Sequence, residues 1–352
     1  MRITINQIKE MKRKGEKITM LTAYDYATAK IVDEVGIPLI LVGDSLGMVV
    51  LGYESTIPVT MEEMLHHTGA VVRATKQAMV IGDMPFMTYH ISNSDALHNA
   101  ARFIQEGGAQ AVKLEGGVTV AEKVSRIVEC GIPVMGHIGL TPQSIYQLGG
   151  FTVQGKTLEA ATKLLEDART LEQAGAFAIV LETVPAQLAT LITQRIGIPT
   201  IGIGAGVGCD GQVQVINDIL GSFTDFVPKH AKQYIKLTDI IRTAVAEYDN
   251  EVKSGSFPTD QQSFSMDESI LAELKGEAID KSNKILEIAE LKCRESGAVA
   301  YPDFGREGWS APTIKRILLN NGYECHEGRH SSEWWGLCSY QKRKTHFHKK
   351  EE

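Results

Sequence analysis

No apolar run in this 352-residue chain reaches the ~18 residues of a membrane-spanning helix, so no membrane role is expected. Positive charge is not in surplus either. Lys and Arg number 36 against 43 Asp and Glu, for a formal net charge of -7, which speaks against a nucleic-acid-binding face. Cysteine is scarce, and the five are widely scattered, as reduced thiols are and a disulfide framework is not. The opening stretch MRITINQIKEMKRKGEK lacks the apolar core of a secretory leader, so a cytoplasmic location is expected. There is no low-complexity tract and no internal repeat. What remains is ordinary for a soluble globular protein (43% hydrophobic, 22% charged), with length for one large domain and a small one.

Glycine, by contrast, is abundant at 33 residues, and its placement is informative. Helix-to-strand joints read Gly36-Ile-Pro, Gly131-Ile-Pro, Gly175-Ala and Gly197-Ile-Pro, with Gly as the C-cap and Pro stopping the helix. The joints separate apolar strand candidates at Ile18–Thr22, Leu39–Val42, Met79–Asp83, Ala111–Glu115, Val134–His137, Ala178–Glu182 and Thr200–Ile203. A weaker eighth lies at Asp225–Val227. Amphipathic stretches at Ala27–Val35, Ala96–Glu106, Val120–Glu129 and Leu158–Ala174 alternate with them. This alternation predicts parallel pairing through right-handed crossovers. The fold class is α/β, and eight strands over this span fit a (β/α)8 barrel better than a doubly wound sheet, which the pattern alone leaves open.

The texture changes near Pro258. The barrel is expected over residues 1–258, a polar linker over 259–266, and a small α+β extension over 267–341. The extension should hold a long helix at Glu268–Glu295, a shorter one at Pro312–Asn320, and strands at Tyr323–Glu327 and Trp334–Tyr340. All three tryptophans lie in it and are expected to bury against the barrel or a neighbouring subunit. Residues 342–352 read as a charged, frayed tail. Cys325, His326, His330 and Cys338 do not match the spacing of a common zinc finger.

The chemistry sits where apolar strands end in acids: LILVGDS (Asp44), VIGDMPF (Asp83), AVKLEGG (Glu115) and AIVLETV (Glu182). PVMGHIG brings His137 to the same level. In a barrel these strand ends converge on one face. Carboxylates gathered there repel one another unless protonated or neutralised, and a bound Mg²⁺ taking Asp44, Asp83 and Glu115 as ligands resolves the conflict. The same acids could instead cap the helices that follow them. Lys113, two residues before Glu115, shares its side of the strand, with Leu114 facing the helices. A buried lysine needs an anion. It could clamp a substrate carboxylate, form a Schiff base, or simply pair with Glu115. Metal and lysine together suggest a 2-oxo acid substrate. The run Gly202-Ile-Gly204-Ala-Gly206 is too weak a signal for a dinucleotide and reads as close packing or backbone near substrate. Cys209 within it reads as a small buried residue.

The stretches TAYDYATAK (22–30), LVGDSLGM (41–48), DMPFMTY (83–89), VKLEGG (112–117), GHIGLTPQS (136–144), LETVP (181–185) and IGIGAGVGCDGQ (201–212) closely resemble the 3-methyl-2-oxobutanoate (ketopantoate) hydroxymethyltransferase family, over about Ile3 to Phe264. The resemblance implies a (β/α)8 barrel of the phosphoenolpyruvate/pyruvate superfamily type. It also implies transfer of a hydroxymethyl group from 5,10-methylenetetrahydrofolate to 3-methyl-2-oxobutanoate, giving 2-dehydropantoate for pantothenate synthesis. Carried over by residue, Asp44, Asp83 and Glu115 would hold Mg²⁺. Ser45 and Lys113 would contact the oxo acid, together with Asp44, Asp83 and His137 at the same site. Glu182 would be the general base, lying near the other acids. The implied partners are the oxo acid, folate and further copies of the chain in a decamer. Two rivals stand beside this reading: a folate-independent oxo-acid lyase of the same superfamily, and a barrel scaffold whose function lies in the extension.

Overall fold

The computed structural model describes residues 2–304, 309–327 and 338–342. The chain divides into two compact units, Met1–Tyr248 and Asp249–Glu352. The division falls within a helix, Leu237–Ser254, rather than at Pro258.

In the first unit eight parallel strands close on themselves: β1 (Ile18–Thr22), β2 (Leu39–Val42), β3 (Met79–Asp83), β4 (Ala111–Glu115), β5 (Val134–Gly139), β6 (Ala178–Glu182), β7 (Thr200–Ile203) and β8 (Gly211–Gln214). The closing pair is β1 with β8, Ile18 opposite Gly211. This excludes the doubly wound alternative. Seven strands stand where the apolar runs predicted them. The eighth does not: Asp225–Val227 is loop, with Phe226 60% exposed, and Gly211–Gln214 takes the place instead. Its alternating glutamines hid it, because a barrel strand is usually read by an unbroken apolar run. Helices at Met61–Ala74 and Ala186–Arg195, unread in the sequence, fill two further crossovers, and a loop joins β7 to β8.

Strand periodicity sorts the apolar residues into two cores. Val112 and Leu114 of β4 join the layer between strands and helices, with Phe103, Val124 and Leu171. Ala111 faces the barrel axis with Met20, Leu41, Ile81 and Met135. The amino-terminal helix Ile5–Lys14, closed by a Thr4–Gln7 capping box and a left-handed Gly15, lays the fully buried Ile8 against this axial core. It forms the floor of the barrel.

The second unit holds the helices Glu268–Ser296 and Ala311–Asn320 and a three-stranded antiparallel sheet. Its strands are β9 (Val299–Ala300), β10 (Tyr323–Glu327) and β11 (Cys338–Lys342), in the order β10-β11-β9. The last strand runs on to Lys342; residues 328–337, with the expected strand start at Trp334 and with His330 and Trp335, lie outside the described residues, as do residues 343–352. Trp309 packs on this unit's own core of Ile285, Ala289, Val299, Phe304, Ile314, Leu318 and Tyr323. Between 259 and 266 lies one short turn, Asp260–Gln262. Among the described residues no helix is long and apolar enough to cross a membrane.

Candidate active site

The strand register sets the site. Asp83 lies opposite Lys113 across β3 and β4, and Glu115 opposite His137 across β4 and β5. Lys113 and Glu115 continue the axial side of β4, while Leu114 is fully buried on the other. All five ionisable groups at these strand ends (Asp44, Asp83, Lys113, Glu115 and His137) are buried. None of the four acids caps a helix: Ser45, Ser92, Gly117 and Pro185 hold the cap positions that follow them. The capping alternative is thereby removed.

Lys113 Nζ lies 2.5 Å from Asp83 Oδ1 and 3.9 Å from Glu115 Oε1. The backbone N–H of Asp44 donates to Asp83 Oδ2 at 3.2 Å. His137 stands between two acids, Nδ1 3.3 Å from Glu115 Oε1 and Nε2 3.2 Å from Glu182 Oε2. Both are ion-pair distances, though neither ring nitrogen is aligned as a hydrogen bond. Glu182, whose side chain is 16% exposed, thus stands against the same imidazole as Glu115. The residue after it, Thr183, has a φ of 52°, an unusual conformation for a β-branched side chain. Its N–H donates to Ile203 O and its carbonyl accepts from Gln154, which holds the strand end in place. Gly139, with φ of 98°, packs so closely under Glu182 that any side chain there would strike the Glu182 carbonyl.

Burial raises the Asp44 pKa well above the carboxylate range, and the Asp83 and Glu115 charges push it further. Burial raises Asp83 too, against the pull of Lys113. At Glu115 burial is outweighed by His137, Lys113 and the Gln143 N–H, and the pKa falls. Burial works against the charge on Lys113, but Asp83, Glu115 and Asp44 prevail and raise its pKa. Burial and Lys113 likewise oppose a charged His137, yet Glu115 and Glu182 lift it to about 9. Fully ionised, the four acids outnumber the two cations, and Asp44 takes most of the strain. A divalent cation relieves such a surplus, so the donor chemistry fits one. The side chains are not drawn to a common point, however. Among the described residues no three of His, Cys, Asp or Glu stand in ligating geometry.

Reading the sequence missed the residue that ties this cluster together. Gln143 Nε2 donates to Asp44 Oδ2 at 2.8 Å and to Met84 O at 2.9 Å, while its N–H donates to Glu115 Oε2 at 3.0 Å. Tyr89 orients the amide by donating to Gln143 Oε1 at 2.6 Å. Tyr24 does the same for Ser45, with hydroxyl oxygens 2.8 Å apart. All three residues lie inside the quoted motifs, which was the available signal. The glycine loop after β7 is packing: side chains at Gly206 and Gly208 would strike Ala186 and Thr190. Cys209 is fully buried, as read.

These groups open into one cavity of about 400 Å³, a size usual for small-molecule sites. A family model described as ketopantoate hydroxymethyltransferase matches residues 2–260. The chain belongs to this family. Relatives named 3-methyl-2-oxobutanoate hydroxymethyltransferase include one from Dehalococcoides mccartyi, 70% identical over 275 residues, or 78% of this chain and 98% of the relative. Another, from Carboxydothermus hydrogenoformans, is 60% identical over 270 residues, or 77% of this chain and 98% of the relative. Among solved structures, a phosphonopyruvate hydrolase is similar with a TM-score of 0.50 at 14% identity, covering 80% of this chain and 98% of its own. That last likeness concerns the fold alone. The family match ends before the helix Glu268–Ser296, so most of the second unit is an extension to the family pattern.

Proposed function

We propose that the chain transfers a hydroxymethyl group from 5,10-methylenetetrahydrofolate to 3-methyl-2-oxobutanoate, giving 2-dehydropantoate. The name shared by relatives up to 70% identical supports the acceptor. The observation that carries the mechanism is the pairing of a buried lysine with Asp83 and Glu115, beside Glu182, which stands 3.2 Å from His137. Asp44, Asp83 and Glu115 would hold Mg²⁺, whose charge favours the enolate form of a 2-oxo acid. Lys113 binds the acceptor carboxylate, and Ser45, fixed by Tyr24, orients it. Glu182 removes the C3 proton, and His137 at 3.2 Å steadies the carboxylate before and after. C3 then bonds to the methylene carbon of the donor, whose bonds to N5 and N10 break; water supplies the hydroxyl oxygen, and one proton from water and the one taken from C3 pass to the two nitrogens, releasing tetrahydrofolate. Magnesium as the metal, the folate donor and a homo-oligomeric assembly belong to the same proposal.

Exchange of the C3 proton of 3-methyl-2-oxobutanoate with solvent, followed by NMR without folate, isolates the first step. Glu182→Gln should slow it by ~10²-fold or more. Undiminished exchange in that variant would remove Glu182 from the role of base.

A further inference from the structure

One acid in the cavity is left out of this scheme. Asp218 sits in the short helix Ile216–Leu220 beyond β8, 6% exposed, and lines the same cavity as Asp44 and Lys113. The other buried aspartates are all partnered. Asp33 accepts from three backbone N–H groups, Asp167 from Val118, Asp44 from Gln143 and Asp83 from Lys113. Among the described residues the Asp218 carboxylate has no hydrogen bond and no ion pair. A carboxylate with no protein donor, set in a cavity wall, is open to a ligand that supplies N–H groups.

The surroundings narrow that ligand. Phe151, Val153, Phe223 and Phe226 line the same cavity and offer an apolar wall suited to a flat heteroaromatic ring. Lys229, exposed at the same cavity, opposes a simple cation and suits a ligand whose outer end is anionic. A reduced folate has this build. Its pterin carries a ring N3–H beside a 2-amino group, a two-donor fork that matches a carboxylate, and its far end carries glutamate carboxylates. Asp218 and Asp44 both line this cavity.

We propose that Asp218 docks the pterin ring of the one-carbon donor, its carboxylate accepting the N3–H and 2-amino hydrogens. Residues 151, 153, 223 and 226 wall the ring, and Lys229 faces the glutamate end. This rests on the folate reading above and adds its binding residue. Burial alone lifts the Asp218 pKa to about 6, which leaves the group mostly ionised, and able to accept, at neutral pH.

Calorimetry on the full chain with tetrahydrofolate, in the presence of 3-methyl-2-oxobutanoate and Mg²⁺, tests it. The second probe is a tetrahydrofolate analogue bearing methyl in place of the 2-amino group. Wild type should bind tetrahydrofolate ~10-fold or more tightly than the analogue, because the missing donor leaves the acid unpaired. Asp218→Asn should lose ~10-fold or more for tetrahydrofolate and cease to tell the probes apart, while KM for 3-methyl-2-oxobutanoate stays within ~3-fold. Equal tetrahydrofolate affinity in wild type and variant overturns the assignment of Asp218 and leaves the folate reading standing. So does a wild type indifferent to the 2-amino group, and that arm needs no variant to fold. A wild type that exchanges the C3 proton yet binds no tetrahydrofolate overturns the folate reading, and this inference with it.

Discussion

The two units bury different things. The barrel encloses Asp33, Asp44, Asp83, Lys113, Glu115, His137, Asp167 and Asp218 among its buried side chains. The second unit, among its described residues, buries only apolar side chains and Tyr323. Buried charge is tolerated where it is paired or where chemistry requires it, and an apolar core does nothing except hold a fold together. The contrast sets a barrel that buries charge beside a unit whose described core is apolar.

The sharpest way to break the comparison is to remove one half of a buried pair. Among the described residues, Asp83→Ala leaves Lys113 with one ion pair, to Glu115 at 3.9 Å, and the more distant Asp44 charge. It should cost ~3–5 kcal/mol in urea unfolding and abolish turnover. A fully stable variant would mean that the lysine finds water, and that the barrel is less dry than its burial suggests. Next in size, Leu318→Ala in the fully buried core of the second unit should cost ~2–5 kcal/mol there. Limited proteolysis should then cut within residues 249–342 while turnover stays within ~3-fold. A parallel loss of turnover would contradict the separation of roles.

The smallest effect concerns Asp218, and its sign is opposite. The folded state binds this proton more tightly than the unfolded chain, lifting the pKa from 3.8 to about 6. The resulting cost to stability is absent below about pH 4, grows through pH 4 to 6, and is complete above that. Asp218→Asn should therefore be more stable than wild type by roughly 2 kcal/mol at pH 8, and no more stable at pH 4. Equal stability at both pH values would show that the carboxylate has a partner in solution.

How much of this was legible depended on whether local pattern or tertiary placement decided it. Strands β2 to β7 are buried on both faces and read as apolar runs, so the acids ending β3, β4 and β6, and Asp44 just past β2, stood out. The Lys113–Glu115 spacing revealed a shared face because a strand repeats every two residues. β8 failed for the opposite reason: Gln212 and Gln214 interrupt the apolar pattern, and only closure against β1 shows it to be a strand. Gln143 and Asp218 carry no periodic signal at all. The one follows a turn after β5 and the other sits in a five-residue helix, and their importance lies in what the fold brings near them. His137 was placed at the right level, but its position between two acids from different strands needed the register.

The floor laid by Ile5–Lys14 has a consequence for solvent. Ile8 is fully buried in the axial core, so side chains pack the amino-terminal end of the barrel, while the cavity lies among residues at the carboxyl ends of the strands. A helix that lends no side chain to the cavity wall thus helps decide from which end the buried charges meet water.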